Sequence, residues 1–373
     1  MDEPSKKRYI LFLSSLLKDS AYVELCYMTG IMPINTYDTG TPLNMFREYT
    51  MAGNPRFSEF FDFTDSEVDD LYAKYRKVDE NDAHITRDQL RDWYDGYYLN
   101  GSRCLYNPKA VINALNENYL TGYWSSSSKY EELYPFIAQN IDEVRDAIAV
   151  LISSEGYPAR LNQYAAASEI LKTKDQIFSA MVVYGFLTSD NGMVYIPNHE
   201  LMEKFIEMLQ YNKALGYLNT LAVASSRVVE ATRKMNPGPI EEAIQLVHDK
   251  VIPLFKYNNE DALGYIVCLA YCAARDTHHF LREEKGGVGL ADIILMPKNP
   301  SDDCFIIELK VDDSPQNAIR QIKKKRYYQQ MLPSFWETRE YTGRLILVGI
   351  SYWKSDPSRS HTVAFEVYHA QDD

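Results

Sequence analysis

The run Phe305-Ile306-Ile307-Glu308-Leu309-Lys310-Val311 constrains this chain more than any other segment. Its apolar character predicts a buried strand. A strand's period of two then sets Glu308 and Lys310 on one face, with Ile307 and Leu309 on the other. A carboxylate and an ammonium inside an apolar strand are costly unless something there needs them. The preceding run, Gly286-Gly287-Val288-Gly289-Leu290-Ala291-Asp292-Ile293-Ile294-Leu295, carries one ionisable group, Asp292. Pairing of the two strands would bring Asp292 and Glu308 close enough to share a cation. Two hard carboxylate oxygens suit Mg2+, or Mn2+, and Lys310 could orient or stabilise an attacking water. A structural ion pair of Lys310 with Asp292 or Glu308 is the competing reading; the strands and helices around the two runs favour the metal site.

Those neighbours are read from periodicity. Helices are expected over 240–254 and 260–275, strands over 280–284, 288–296, 305–311, 345–352 and 361–368. Ser314-Pro315 opens a helix running to about 332. Helices mixed with strands in this order predict a mixed sheet covered on both faces, in the α+β or α/β class. On the helix from Pro315, Gln321 and Lys325 share a face. Ile319, Ile322 and Arg326 form a neighbouring face, whose apolar part should pack on the sheet.

The region before Pro237 is expected to be largely helical. A short amphipathic helix covers 6–18, and the apolar run 22–32 resembles a buried strand. Thr64 with Glu67 and Thr86 with Gln89 are capping-box signatures, the first opening a helix over 66–77. Asn107-Pro108 opens a helix over 108–118, and 130–176 is helical in periodicity, punctuated at Gly156-Tyr157-Pro158. Residues 176–211 read as helix, hairpin and helix, with Asp190-Asn191-Gly192 as the turn. That is the outline of a winged helix, but Glu200, Glu203, Lys204 and Glu207 occupy the last helix's polar positions and fit phosphate poorly, so packing is its expected role. Met235-Asn236-Pro237-Gly238-Pro239 reads as a linker. The expected divisions are 1–54, 55–236 and 237–373.

Composition narrows the partners. Of the net charge of −13, the residues from Pro237 onward carry −4, with 16 Lys and Arg against 20 Asp and Glu; the remaining −9 lies before them. One basic run stands out, Arg320-Gln321-Ile322-Lys323-Lys324-Lys325-Arg326. This balance excludes a high-affinity, sequence-independent DNA coater and permits an enzyme whose binding is local and metal-assisted. The five cysteines are scattered without a CxxC pair, and Cys268 and Cys272 read as buried small hydrophobes. A reducing compartment, cytosol or nucleus, follows. Neither a membrane span nor a secretory signal is expected.

With these residues in view, a resemblance emerges. Gly286 to Ile293 followed by Ile306-Ile307-Glu308-Leu309-Lys310 resembles the PD-(D/E)XK nuclease domain found at the C-terminus of AAA-ATPase-like proteins. Cys26-Tyr27-Met28-Thr29-Gly30-Ile31 is similar to the strand and sensor segment of that ATPase. The stretch from Phe57 to Thr64, Trp93-Tyr94-Asp95-Gly96-Tyr97 and Tyr106-Asn107-Pro108 are similar to its helical region. The resemblance implies Asp292 and Glu308 as metal ligands and Lys310 as the third active-site residue. It also implies a Glu on the first core helix, matched to Glu260, and a Gln on the helix after the triad, matched to Gln321. Gln321 is then expected at the metal-site water or scissile phosphate, with Lys325 touching a nucleic-acid backbone and Lys323, Lys324 and Arg326 further out. DNA is the implied substrate, and the helical region is a possible protein-binding platform. A non-catalytic adaptor that keeps the fold is the alternative. ATP binding does not transfer: the chain contains no G-x-x-x-x-G-K-[ST] and no Gly-Lys dipeptide. A family member without its nucleotide-binding half, or a piece of a longer protein, would both read this way.

Overall fold

The structure, a computed structural model, describes residues 3–29, 43, 45, 46, 49, 60–78, 84–99, 103–123, 133–161, 171–255, 260–282, 292–326, 341–356 and 360–368. The chain divides into two compact units: Met1–Val144 with Gly156–Lys204, and Arg145–Glu155 with Phe205–Asp373. Of the three breaks between them, those after Val144 and Lys204 fall inside helices, and the one after Glu155 falls in a connection.

The first unit begins with α1 (Glu3–Leu17), which buries Ile10 and Leu13 beside Leu43. Residues 22–29 form no strand, and Tyr22, Leu25 and Tyr27 are exposed, so the expected strand is absent over that stretch; its remainder, 30–32, lies outside the described residues. An apolar run alone does not make a strand without a ladder to join. Helix α2 (Asp65–Val78) starts where Thr64 N–H donates to Glu67 Oε2 (2.8 Å) and Thr64 Oγ1 accepts from Glu67 N–H (3.4 Å). The second capping box, Thr86 with Gln89, opens α3 (Arg87–Tyr94). A short hairpin follows, β1 (Tyr97–Leu99) and β2 (Arg103–Leu105). Then α4 (Pro108–Glu117) is capped by Asn107 and stopped by Asn118 in the left-handed region, φ 52°. Val68, Leu90, Tyr94, Tyr106 and Val111 form the shared core of α2, α3 and α4.

The stretch read as helical over 130–176 resolves into α5 (Leu133–Ala138), α6 (Ile141–Ile152) and β3 (Tyr157–Pro158), with 130–132 and 162–170 outside the described residues. The helix–hairpin–helix follows as α7 (Lys174–Val183), β4 (Thr188–Asp190), β5 (Met193–Tyr195) and α8 (His199–Tyr211). Asn191 (φ 48°) and Gly192 (φ 78°) both lie in the left-handed region that a two-residue hairpin turn needs. Strand β3 adds to β5, giving the order β3-β5-β4. Glu200, expected on a polar face of α8, is buried at 1% exposure, so that face is narrower than the charge pattern implied.

In the second unit, α9 (Tyr217–Arg233) and α10 (Gly238–Phe255) pack on each other. The segment read as a linker is the tight corner between them. Asn236 N–H bonds Ala231 O (2.8 Å), and Ile240 and Glu241 N–H both bond Pro237 O (3.0 Å). Helix α11 (Glu260–Ala270) ends before a 3-10 turn, Cys272–Asp276, so the helix expected to 275 is two pieces. Within that turn Arg275 is buried, donating to Ile152 O (2.6 Å) and Ser154 Oγ (3.0 Å).

The sheet comprises β6 (His278–Arg282), β7 (Ile293–Pro297), β8 (Cys304–Val311), β9 (Leu345–Tyr352) and β10 (His361–Tyr368), in the order β10-β9-β8-β7-β6. All neighbours are antiparallel except β8 and β9, whose parallel pairing requires a crossover. That crossover contains α12 (Pro315–Lys325), capped by Ser314 and ended by Arg326 in the left-handed region (φ 50°). The helix thus stops short of 332; residues 327–340 lie outside the described residues. Ile319 and Ile322 of α12 pack on Ile294, Met296, Ile306 and Leu347, while α11 packs on the opposite face of β8. This unit therefore has helices on both faces of a five-stranded mixed sheet, within a mixed α and β molecule. No described helix is long and apolar enough to cross a membrane.

Candidate functional site

Register brings the predicted residues together. Strands β7 and β8 pair with Ile293 opposite Ile307, so Asp292 falls opposite Glu308 one step beyond. The parallel neighbour sets Gly349 beside Glu308 and Ser351 beside Lys310. Asp292 Oδ2 accepts from the Leu309 N–H at 2.6 Å. This bond ties the carboxylate to the backbone between Glu308 and Lys310.

Glu308 is 2% exposed. Its Oε1 accepts from Lys310 Nζ at 3.2 Å and from Gln321 Nε2, while Oε2 is buried with no hydrogen-bond partner among the described residues. Lys310 Nζ also donates to Leu309 O at 3.0 Å. Burial raises the Glu308 carboxyl to about 7, and the Asp292 charge adds to the rise; Lys310 and, more weakly, Lys325 pull it back. A carboxylate held this way is short of positive charge and short of one donor.

The other predicted residues are distributed unevenly. Gln321 lies in the second turn of α12 and touches Glu308. Lys324, Lys325 and Arg326 are exposed at the end of the helix, and Lys323 pairs with Glu366 of β10. Glu260 is the first residue of α11, and its side chain lies outside the described residues, as do Gly286 to Ala291. Among the described residues no three His, Cys, Asp or Glu side chains converge as a ligand set. Cys268, Cys272 and Cys304 are buried thiols.

Two features of the site carried no expectation from sequence. The Leu309 N–H that fixes Asp292 depends on register alone. Gly349 had a visible signal, since a glycine inside an apolar strand marks a close backbone approach. Behind the sheet, Arg282 Nη1 lies 2.7 Å from Glu155 Oε1, whose other oxygen accepts from Tyr265 Oη at 2.9 Å. Nothing in the sequence connects residues so far apart. Comparisons of the chain with protein-family models, with curated proteins and with solved structures each return no match.

Proposed function

We propose that the chain is a Mg2+- or Mn2+-dependent nuclease of the PD-(D/E)XK type, with DNA as substrate. The observation that carries this reading is the Glu308 carboxylate, buried with Oε2 unpartnered and standing opposite a second carboxylate, Asp292. Buried polar atoms without partners are rare, and one on an ionisable group facing another of like charge is rarer. A hard divalent cation fits this donor set: it supplies the missing charge, and carboxylate oxygens are its preferred ligands. When bound, such a cation stabilises charge building on a phosphoryl oxygen.

The protein's own groups divide the remaining work. Asp292 and Glu308 hold the cation, with Asp292 aimed by its bond to the Leu309 amide. Lys310 is steadied by the Leu309 carbonyl and can donate to an oxygen that gains negative charge, the role fixed donors play in hydrolytic sites. Gln321 orients Glu308 from α12. Lys325, with Lys324 and Arg326 beyond it, offers positive charge to a phosphate backbone.

A second reading, a non-catalytic protein-binding adaptor on the same fold, draws support from the chain's net charge of −13, which suits a polyanion poorly. Calorimetry with MnCl2 and a plasmid-nicking assay separate the two. The nuclease reading expects Mn2+ binding that is lost in Asp292→Ala, and cleavage that stops in chelator. Cleavage at the wild-type rate in Asp292→Ala and Glu308→Ala would sink it.

A further inference from the structure

Gly349 faces the same side of the sheet as Glu308, its register partner across the parallel pair. A Cβ at this position would overlap the Pro315 carbonyl oxygen, lie 2.8 Å from the Pro315 carbonyl carbon and 3.1 Å from Ala318 Cβ. The first turn of α12 therefore rests directly on the β9 backbone. One turn further along the same helix, Gln321 reaches Glu308.

The overlapping atoms belong to backbone, so no rotamer change relieves them. The helix start is also held. Ser314 Oγ accepts from Asn317 N–H (3.2 Å), Asp313 Oδ1 accepts from Ser314 N–H (2.7 Å), and Ile319 and Ile322 are buried in the core below. A side chain at 349 would have to lift the whole helix by on the order of 1 Å to restore van der Waals distance. That lift acts on Gln321 and Lys325, which ride on α12, and leaves Asp292 and Glu308 on their strands.

We propose that Gly349 is a positioning residue: its missing side chain lets α12 seat on β9, and that seating sets Gln321 against Glu308. The geometric part stands by itself, and the consequence for cleavage rests on the nuclease reading. Displacing a catalytic environment by about 1 Å can cost up to 100-fold in rate.

The test compares wild type with Gly349→Ala, with Ala318→Cys (which thickens the same contact from the helix side), with Gln321→Ala, and with the double variant Gly349→Ala/Gln321→Ala. Calorimetry with MnCl2, single-turnover plasmid cleavage at saturating Mn2+ and crystal structures are the readouts. Gly349→Ala should keep Mn2+ affinity within about threefold of wild type, because both carboxylates stay in place, and lose about 10- to 100-fold in cleavage rate. Adding Gln321→Ala should then cost nothing further, since the two changes remove one interaction. In the crystal, α12 should be lifted and the Gln321 amide beyond hydrogen-bond distance of Glu308. A variant whose Gln321 stays on Glu308, or rate losses that multiply in the double variant, overturns the proposal. Failure of both single-contact variants to fold overturns it too, since the contact would then serve the fold alone. If wild type neither binds Mn2+ nor cuts DNA, the nuclease reading fails, and the position of Gln321 in the variant crystals decides this inference without it.

Discussion

Asp65 and Glu308 are both carboxylates set beside cations, and their surroundings differ. In the first unit Asp65 accepts from Tyr106 Oη (2.6 Å), Arg87 Nη2 (2.6 Å) and Arg91 Nη2 (3.0 Å), and Arg87 turns a further bond to Asp69 (2.6 Å). The Tyr106 hydroxyl, with the two guanidinium groups behind it, holds the Asp65 carboxyl down at about 2. In the second unit Glu308 has one oxygen supplied and the other bare, and burial drives its carboxyl up to about 7. A network in which every partner is supplied fastens structure together. One left incomplete in a buried place is a cost the fold carries for some other purpose.

The largest expected effect tests whether that contrast is one of function. Glu308→Ala should lower Mn2+-dependent DNA cleavage by on the order of 100- to 1000-fold. Asp65→Asn should leave the rate near wild type and destabilise the protein by only about 1 kcal/mol, because Asp65 is half exposed and its bonds are screened. Equal rate losses in the two variants would erase the distinction.

Next in size is pH. Glu308 moves from an ordinary 4.5 to about 7 on folding, so the folded chain holds this proton more tightly than the unfolded one. Its contribution to stability therefore declines as pH rises from 4.5 towards 7. In metal-free urea unfolding, wild type should lose about 2 kcal/mol relative to Glu308→Gln between pH 5 and pH 7. Asp65 runs the other way. Its contribution is present above its ordinary 3.8 and is lost as pH falls through about 2. Parallel pH profiles for wild type and Glu308→Gln would mean that Glu308 stays ionised in the folded state.

The smallest effect sharpens the outer edge of the site. Lys325→Ala should weaken DNA binding across all sequences and reduce the slope of log K against log salt by about one. An unchanged slope would make the end of α12 ordinary surface and confine the site to β7, β8 and Gln321.

How much of this was legible in the sequence depends on how local the signal is. The strand carrying Glu308 and Lys310, and the last two strands of the sheet, have eight residues each, mostly apolar, long enough to declare themselves. Caps at Thr86, Asn107 and Ser314 are written in a few adjacent residues, and the structure keeps all three. The β1–β2 hairpin escaped because its strands have three residues each, although Asn100-Gly101 between them is a hairpin signal. The run from Tyr22 misled for the opposite reason: it had apolar length and no partner strand among the described residues. At the candidate site, side-chain chemistry could be read and depth could not. Glu308 and Lys310 follow from a period of two, and Asp292 from being the one ionisable group in the neighbouring apolar run. The bare Oε2 and the seat of α12 on Gly349 depend on register between β8 and β9, strands joined through more than thirty residues of crossover.

The second unit takes one strip, Arg145–Glu155, from the middle of the chain and the rest from Phe205 onward. During synthesis this has a temporal meaning. Ile152 leaves the ribosome 123 residues ahead of Arg275, the buried side chain its carbonyl accepts from. At roughly 5–20 residues per second that is a wait of about 6–25 s. For that interval Ile148 and Ile152, both fully buried in the finished protein, have only part of their eventual surroundings. A nascent chain halted within that interval lacks the 3-10 turn whose Arg275 donates to the Ile152 carbonyl, so the strip completes its hydrogen bonding only after that turn has emerged.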